Sequence, residues 1–193
     1  MKKFIYLGVA FLTILASIAS AQNRRICGSM DVLAAQKLLD PGLDQRMKSI
    51  EQQTAAYVAQ FNSKFGNNSN AIVTIPVVFH IVYSSTAQNI TDAQCIAQLN
   101  QLNLDYARLN TDRTNTPSAF STIAANTNIQ FCLAQRTPTG AASTGIERRS
   151  TTVTSWSTND YVKYYSRGGL DAWPATSYLN LWVCNLSGGV LGY

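Results

Sequence analysis

The chain predicts an α/β (α+β) layered domain preceded by a helical segment. Three observations predict it. Residues 71–83 are apolar at both alternating sets of positions, the pattern of a strand covered on both faces. A capped amphipathic helix follows from Thr91, so strand and helix read as a crossover unit. Short strand patterns then recur at 129–134, 145–152 and 177–186, each bounded by turn residues.

Residues 1–21 read as a secretory signal peptide. Lys2 and Lys3 supply the positive start, Phe4 to Ile18 is apolar apart from Gly8, Thr13 and Ser17, and Ala19, Ser20 and Ala21 offer small residues for cleavage before Gln22. An uncleaved membrane anchor is the weaker alternative, because the run is short for a bilayer and a cleavage site follows at once. The expected location is therefore secreted or extracytoplasmic, with no membrane attachment after cleavage.

Residues 22–70 predict a helical extension and linker. Met30, Leu33 and Leu38 mark a first helix that Asp40-Pro41-Gly42 interrupts. Met47, Ile50, Tyr57, Val58 and Phe61 mark a second, from about Asp44, and Gly66 to Asn70 is the clearest linker in the chain. Ala71 to Tyr83 is the predicted central strand, with Val73, Ile75, Val77, Phe79, Ile81 and Tyr83 on one face and Val78 and Val82 on the other. Pro76 predicts an edge-like or irregular start. In the next helix Thr91 caps, Gln94 completes a capping box, and Ile96, Leu99, Leu102, Tyr106 and Leu109 form the apolar stripe. A short helix opens at Pro117, and 159–165 reads as a loop or a short helix broken at Gly168 and Gly169. A last strand begins at Val190 after a Gly188-Gly189 turn.

Charge and motifs exclude several functions. The chain carries 15 basic and 10 acidic residues, net +5, and loss of Lys2 and Lys3 leaves the mature chain at +3. The pairs Arg24-Arg25 and Arg148-Arg149 are isolated, so nucleic acid is not an expected partner. No glycine-rich phosphate loop is present. Cys27, Cys95, Cys132 and Cys184 allow three complete pairings, and their spacing fits no local metal motif; Cys132 and Cys184 read equally as buried thiols or as halves of a bridge. Asn67, Asn89 and Asn185 each begin an Asn-x-Ser/Thr triplet, which matters only in a glycosylating host. His80 is the only histidine, so a centre needing several cannot be built; it reads as a packed, hydrogen-bonded core residue.

Motifs add a resemblance. The segment Ile75–Tyr83 (IPVVFHIVY) resembles the first strand of the pappalysin-family zinc metalloproteases, in particular their secreted bacterial branch. The match continues in order through ITDAQ at 90–94, NLDY at 103–106, Leu109-Asn110, NTP at 115–117, NIQFCLA at 128–134 and TGI at 144–146. It ends with SRGG at 166–169, DAWP at 171–174 and LNLWVCNL at 179–186. This resemblance implies an incomplete metzincin-like upper subdomain over 71–193, with a twisted, mixed but mostly parallel sheet and packed helices. It also implies that Gly189, Val190, Leu191, Gly192 and Tyr193 begin an antiparallel, unpaired edge strand bordering a substrate cleft, where an extended peptide could bind.

Upstream, Arg25–Gly28 and Met30–Leu33 resemble the family's pro-segment, which makes Cys27 the candidate latency ligand to zinc. The family's H-E-x-x-H helix is absent, and Glu147 has no histidine near it in sequence, so no catalytic residue is assigned. The resemblance therefore implies the N-terminal part of a secreted zinc metalloendopeptidase precursor, truncated before its zinc helix. Zinc and protein or peptide substrates belong to the full-length parent, together with the missing C-terminal half; this chain alone is expected to be inactive and to hold no zinc. The alternatives are a non-catalytic secreted peptide-binding module and a degenerate gene product.

Overall fold

The computed structural model describes residues 25–65 and 71–193. The signal peptide, its cleavage position and the linker at 66–70 lie outside the described residues. In chain order the elements are β1 (Ile26–Cys27), α1 (Ser29–Leu39), α2 (Leu43–Phe65), β2 (Val73–Tyr83), α3 (Asp92–Tyr106), β3 (Ile129–Leu133), β4 (Ile146–Ser150), β5 (Leu179–Val183) and β6 (Val190–Gly192). Single 3₁₀ turns fill the connections, including Ser118–Phe120 after Pro117, and Tyr161–Lys163 and Tyr165–Arg167 where the sequence predicted a loop or short helix.

The helical extension breaks where proline requires it. The carboxylate of Asp40 accepts the Gly42 N–H at 3.1 Å and pairs with Arg46, while Lys37 reaches Asp44 at 2.7 Å across the break. Among the described residues, α1 buries none of its side chains. This extension is therefore loosely attached, because apolar burial is what fixes a short helix in water.

β2 organises the domain. It pairs in parallel with β3 through Val73–Val77, with β4 through Phe79–Tyr83 and with β5 through Val77–Ile81. Val73 N–H donates to Asn128 O and Phe79 N–H to Gly145 O, while Val77 O and Tyr83 O accept from Ala134 and Thr151. Odd-numbered β2 residues thus bond toward β3 and β4, which occupy successive halves of one flank. Even-numbered ones turn toward β5. Pro76 is even-numbered, and β5 joins only at Val77, so the missing N–H of proline falls on a flank not yet paired. The start is therefore edge-like, as one of the two readings of Pro76 expected, and its pairing with β3 stays in regular register.

The two faces of β2 seed two layers. Val77, Phe79 and Ile81 pack with Cys95 and Leu99 of α3 and with Phe131. On the opposite face Val78 meets Ala134 and Trp173, and Val82 meets Trp156 and Val162. The sheet is a mixed-order but wholly parallel four-stranded one, and the fold class is the predicted α/β arrangement. Gly145, at φ 72, sits where β3 hands over to β4; a Cβ there would lie 2.7 Å from Ala134 N and 3.1 Å from Val77 O.

The capping box of α3 forms as read: Gln94 N–H donates to Thr91 Oγ1 and Thr91 N–H to Gln94 Oε1. Its buried stripe is different. Cys95 and Leu99 are the buried positions and Leu102 is half-buried, whereas Ile96 and Leu109 face solvent. The apolar stripe read from the sequence omits Cys95, although a thiol buries as readily as an aliphatic group. Leu109 falls outside because the helix ends at Tyr106 and Arg108, at φ 56, turns the chain. Asn103 then ties α3 to β3: its side chain accepts from Phe131 N–H at 2.7 Å and donates to Phe131 O at 3.0 Å, as a neighbouring strand would.

Two truncations test this layering. Ile81→Ala is expected to lower stability by about 2–5 kcal/mol in urea unfolding, and Leu109→Ala by less than about 0.5 kcal/mol. Equal losses would mean that Leu109 is packed into the core and not exposed.

Candidate functional site

The candidate edge strand is not free. β6 pairs with β1 in parallel, in a two-stranded sheet separate from the four-stranded one. Ile26 N–H donates to Gly189 O at 3.1 Å and Gly28 N–H to Gly192 O at 2.7 Å, with Ile26 opposite Val190 and Cys27 opposite Gly192. The expectation of an unpaired edge is thus corrected, and among the described residues β6 has no antiparallel strand partner. The reason is general: an exposed strand edge offers unpaired amides to any extended segment within reach, and here that segment is the chain's own residues 26–28. Gly28 makes the approach close, since a Cβ there would stand 3.3 Å from Val190 Cγ1 and 3.5 Å from both Gly192 O and Tyr193 Cβ.

Cys27 is carried on β1 with its thiol exposed. Its Sγ lies 3.2 Å from Ser29 Oγ. That side-chain hydrogen bond, aided by the Ser29 backbone, holds the thiol below its ordinary pKa, so more thiolate is present at neutral pH. The other cysteines differ. All four are free thiols; burial pushes Cys95 up, and it pushes Cys184 up to about 11. Among the described residues no group of three His, Cys, Asp or Glu side chains could hold a metal ion. Cys27 can therefore supply one zinc ligand, and the described residues do not fit a complete site.

A groove of about 600 Å³ runs between β5 and β6. Asn180, Leu181 and Trp182 line one side, Leu191 and Tyr193 the other, with Lys163 between them. Lys163 Nζ pairs with Asp160 at 2.7 Å and lies 5.6 Å from the Trp182 ring and 5.0 Å from the Tyr193 ring. Burial, with the nearby Asp160 charge, pushes the Tyr193 hydroxyl up to about 12. β5 pairs only with β2 among the described strands, so its outer flank opens on this groove.

Beneath the groove, His80 is completely buried and held from two strands. Its Nε2 lies 2.8 Å from Asn180 Oδ1 and its Nδ1 3.0 Å from Glu147 Oε2, while its ring stacks on Trp182 at 4.8 Å and 20°. Asn180 is itself oriented: it accepts from Trp173 N–H at 2.8 Å and donates to Trp173 O at 2.9 Å. Its oxygen therefore faces His80, and Nε2 must carry the donated proton. Nδ1 stands within hydrogen-bond distance of Glu147 Oε2, so the ring is held at both nitrogens. Sequence reasoning missed Glu147 and Asn180 as partners because they lie 67 and 100 residues from His80. The available signal was a polar residue at 180 inside an apolar strand, on the same face as His80 once 80 and 182 are set opposite each other.

No family model matches this chain, and no curated protein does. Solved structures do. Mirolysin in complex with compound 9 is 50% identical, with 60% of this chain and 44% of that chain covered and a TM-score of 0.58. Mature mirolysin of Tannerella forsythia in complex with a cleaved peptide is 50% identical, with 61% and 44% covered and a TM-score of 0.58. A promirolysin mutant of Tannerella forsythia is 39% identical, with 82% and 50% covered and a TM-score of 0.65. The chain thus spans half the length of the proform or less of the mature form. The shared fold is the mixed α/β, metzincin-like one.

Thiol labelling tests the site. At pH 7, iodoacetamide followed by peptide mass mapping is expected to modify Cys27 first and the buried Cys95 and the burial-raised Cys184 last, and Ser29→Ala is expected to slow Cys27 by a factor of about 2–10. Labelling of Cys184 as fast as Cys27 would contradict the placement of both.

Proposed function

We propose that this chain is the N-terminal part of a secreted zinc metalloendopeptidase precursor of the pappalysin type. In this reading residues 1–21 are the signal peptide, 22–70 the pro-segment and linker, and 71–193 the first subdomain of the catalytic domain. One observation carries the proposal: the strand bearing Cys27 lies along β6, the edge on which a peptide substrate would be held. A segment that occupies the peptide edge and presents an exposed, readily ionised thiol has what a latency device needs, namely competition for the edge and a ligand for the metal.

Two comparisons support the division. Mature mirolysin covers 60–61% of the chain and the proform 82%, so the proform accounts for more of it. The mature form is described with a cleaved peptide, which favours peptides as substrates here. The open flank of β5 and the groove beside it suit a further strand from the rest of such a protein, laid between β5 and β6. Zinc would be bound by residues beyond those described, with Cys27 as the one ligand contributed by this part. Among the described residues no helix is long and apolar enough to cross a membrane.

The test is to express the source reading frame to its own stop codon. Chelator-sensitive peptide hydrolysis that rises at least about tenfold in Cys27→Ala before processing is the expected result. Hydrolysis unchanged by Cys27→Ala would remove the latency role, and a product that binds peptides without cutting them would replace the enzyme with a secreted peptide-binding module.

A further inference from the structure

His80 lies at the centre of the sheet, yet its contacts lead outward to the candidate peptide edge. We propose that His80 is a positioning residue for β6: acting through Asn180 and Trp182, it sets the wall of the groove against which β6 and its pro-segment strand are laid. The functional meaning of that placement rests on reading β6 as a peptide edge. The geometry does not.

The imidazole bridges three adjacent strands. Glu147 holds Nδ1 from β4 on one flank of β2, and Asn180 holds Nε2 from β5 on the other. This fixes the ring plane as well as its place. Trp182 takes its orientation from two constraints, the stack on that ring and the donation of its Nε1–H to Leu170 O at 2.9 Å. Beyond Trp182 comes the Lys163 ammonium, oriented by Asp160 and set between the Trp182 and Tyr193 rings. Tyr193 directly follows Gly192, whose carbonyl accepts from Gly28. A continuous chain of packed groups therefore connects β2 with the β1–β6 pair.

Volume alone would not do this. An apolar residue at position 80 would fill the space but leave Asn180 Oδ1 without its donation from the ring and Glu147 without a partner, and it would leave the tilt of Trp182 to packing. The contact between Nδ1 and Glu147 also makes the chemistry of position 147 specific. A glutamine there donates its amide N–H to Nδ1 and keeps the bridge, whereas an alanine ends it.

Hydrogen exchange read by mass spectrometry on the mature chain separates positioning from general stabilisation. In Glu147→Ala and Asn180→Ala, exchange in segments 26–28 and 189–193 is expected to rise about tenfold while residues 95–102 of α3 keep their protection, with a weaker near-ultraviolet tryptophan dichroism. Glu147→Gln is expected to restore both signals. If the alanine variants do not fold, Trp182→Phe, which keeps a stacked ring but loses the donor to Leu170, is expected to show a smaller rise confined to the same segments. Exchange that rises at β6 and α3 together, in step with the loss of urea stability, would show a purely structural histidine and overturn the proposal. None of these readouts depends on zinc, peptide or hydrolysis, so failure of the enzyme reading leaves them decisive.

Discussion

A strand covered on both faces and paired along both edges has no water to satisfy a polar side chain, and β2 carries one at its centre. His80 is completely buried, so both of its ring nitrogens need protein partners. Those partners come from the strands on either side, Glu147 and Asn180, and meeting that need sets how β4 and β5 stand against β2. Asn180 carries the constraint onward by bonding both backbone groups of Trp173, whose ring then packs on Val78. A polar requirement in the middle of the sheet thus organises the irregular layer over its second face. Among the described residues the first face holds no buried side chain of that kind: α3 covers it with aliphatic, thiol and aromatic contacts and is tied to β3 by Asn103.

Moving outward from β2, order depends on fewer interactions. β5 has one paired flank, and β6 has none within the four-stranded sheet. Such an edge accepts whatever extended backbone is nearest, and the chain supplies its own through Ile26–Gly28. The segment is held by a few main-chain bonds and by the close fit of Gly28, while α1 behind it buries nothing. An element held in this way opens locally at a small fraction of the free energy needed to unfold the domain. That difference in stability arises here from the gradient of burial between β2 and β6.

Much of the fold was legible because it is governed by local rules. The alternation through Val73–Tyr83, the capping box at Thr91 and Gln94, the break at Pro41 and the unpaired flank at Pro76 each follow from backbone geometry within a few residues. The register of α3 was less legible, because Cys95 counts as apolar only once its surroundings are known to be dry. The candidate site was legible in part. Cys27 and the residues from Gly189 to Tyr193 could be singled out by motif, but their meeting could not, since nothing in a sequence measures the distance between residue 27 and residue 192.

By itself, then, the sequence determined the elements other than β1, their order and the two-faced central strand, because strand and helix periods are short-range properties of the chain. Tertiary structure alone decided three matters: that Glu147 and Asn180 complete His80, that β6 stands apart from the main sheet, and that β1 lies upon it in parallel. Each depends on register between segments tens to more than a hundred residues apart. Register is settled only when burial, backbone pairing and the demands of a buried polar group are satisfied together.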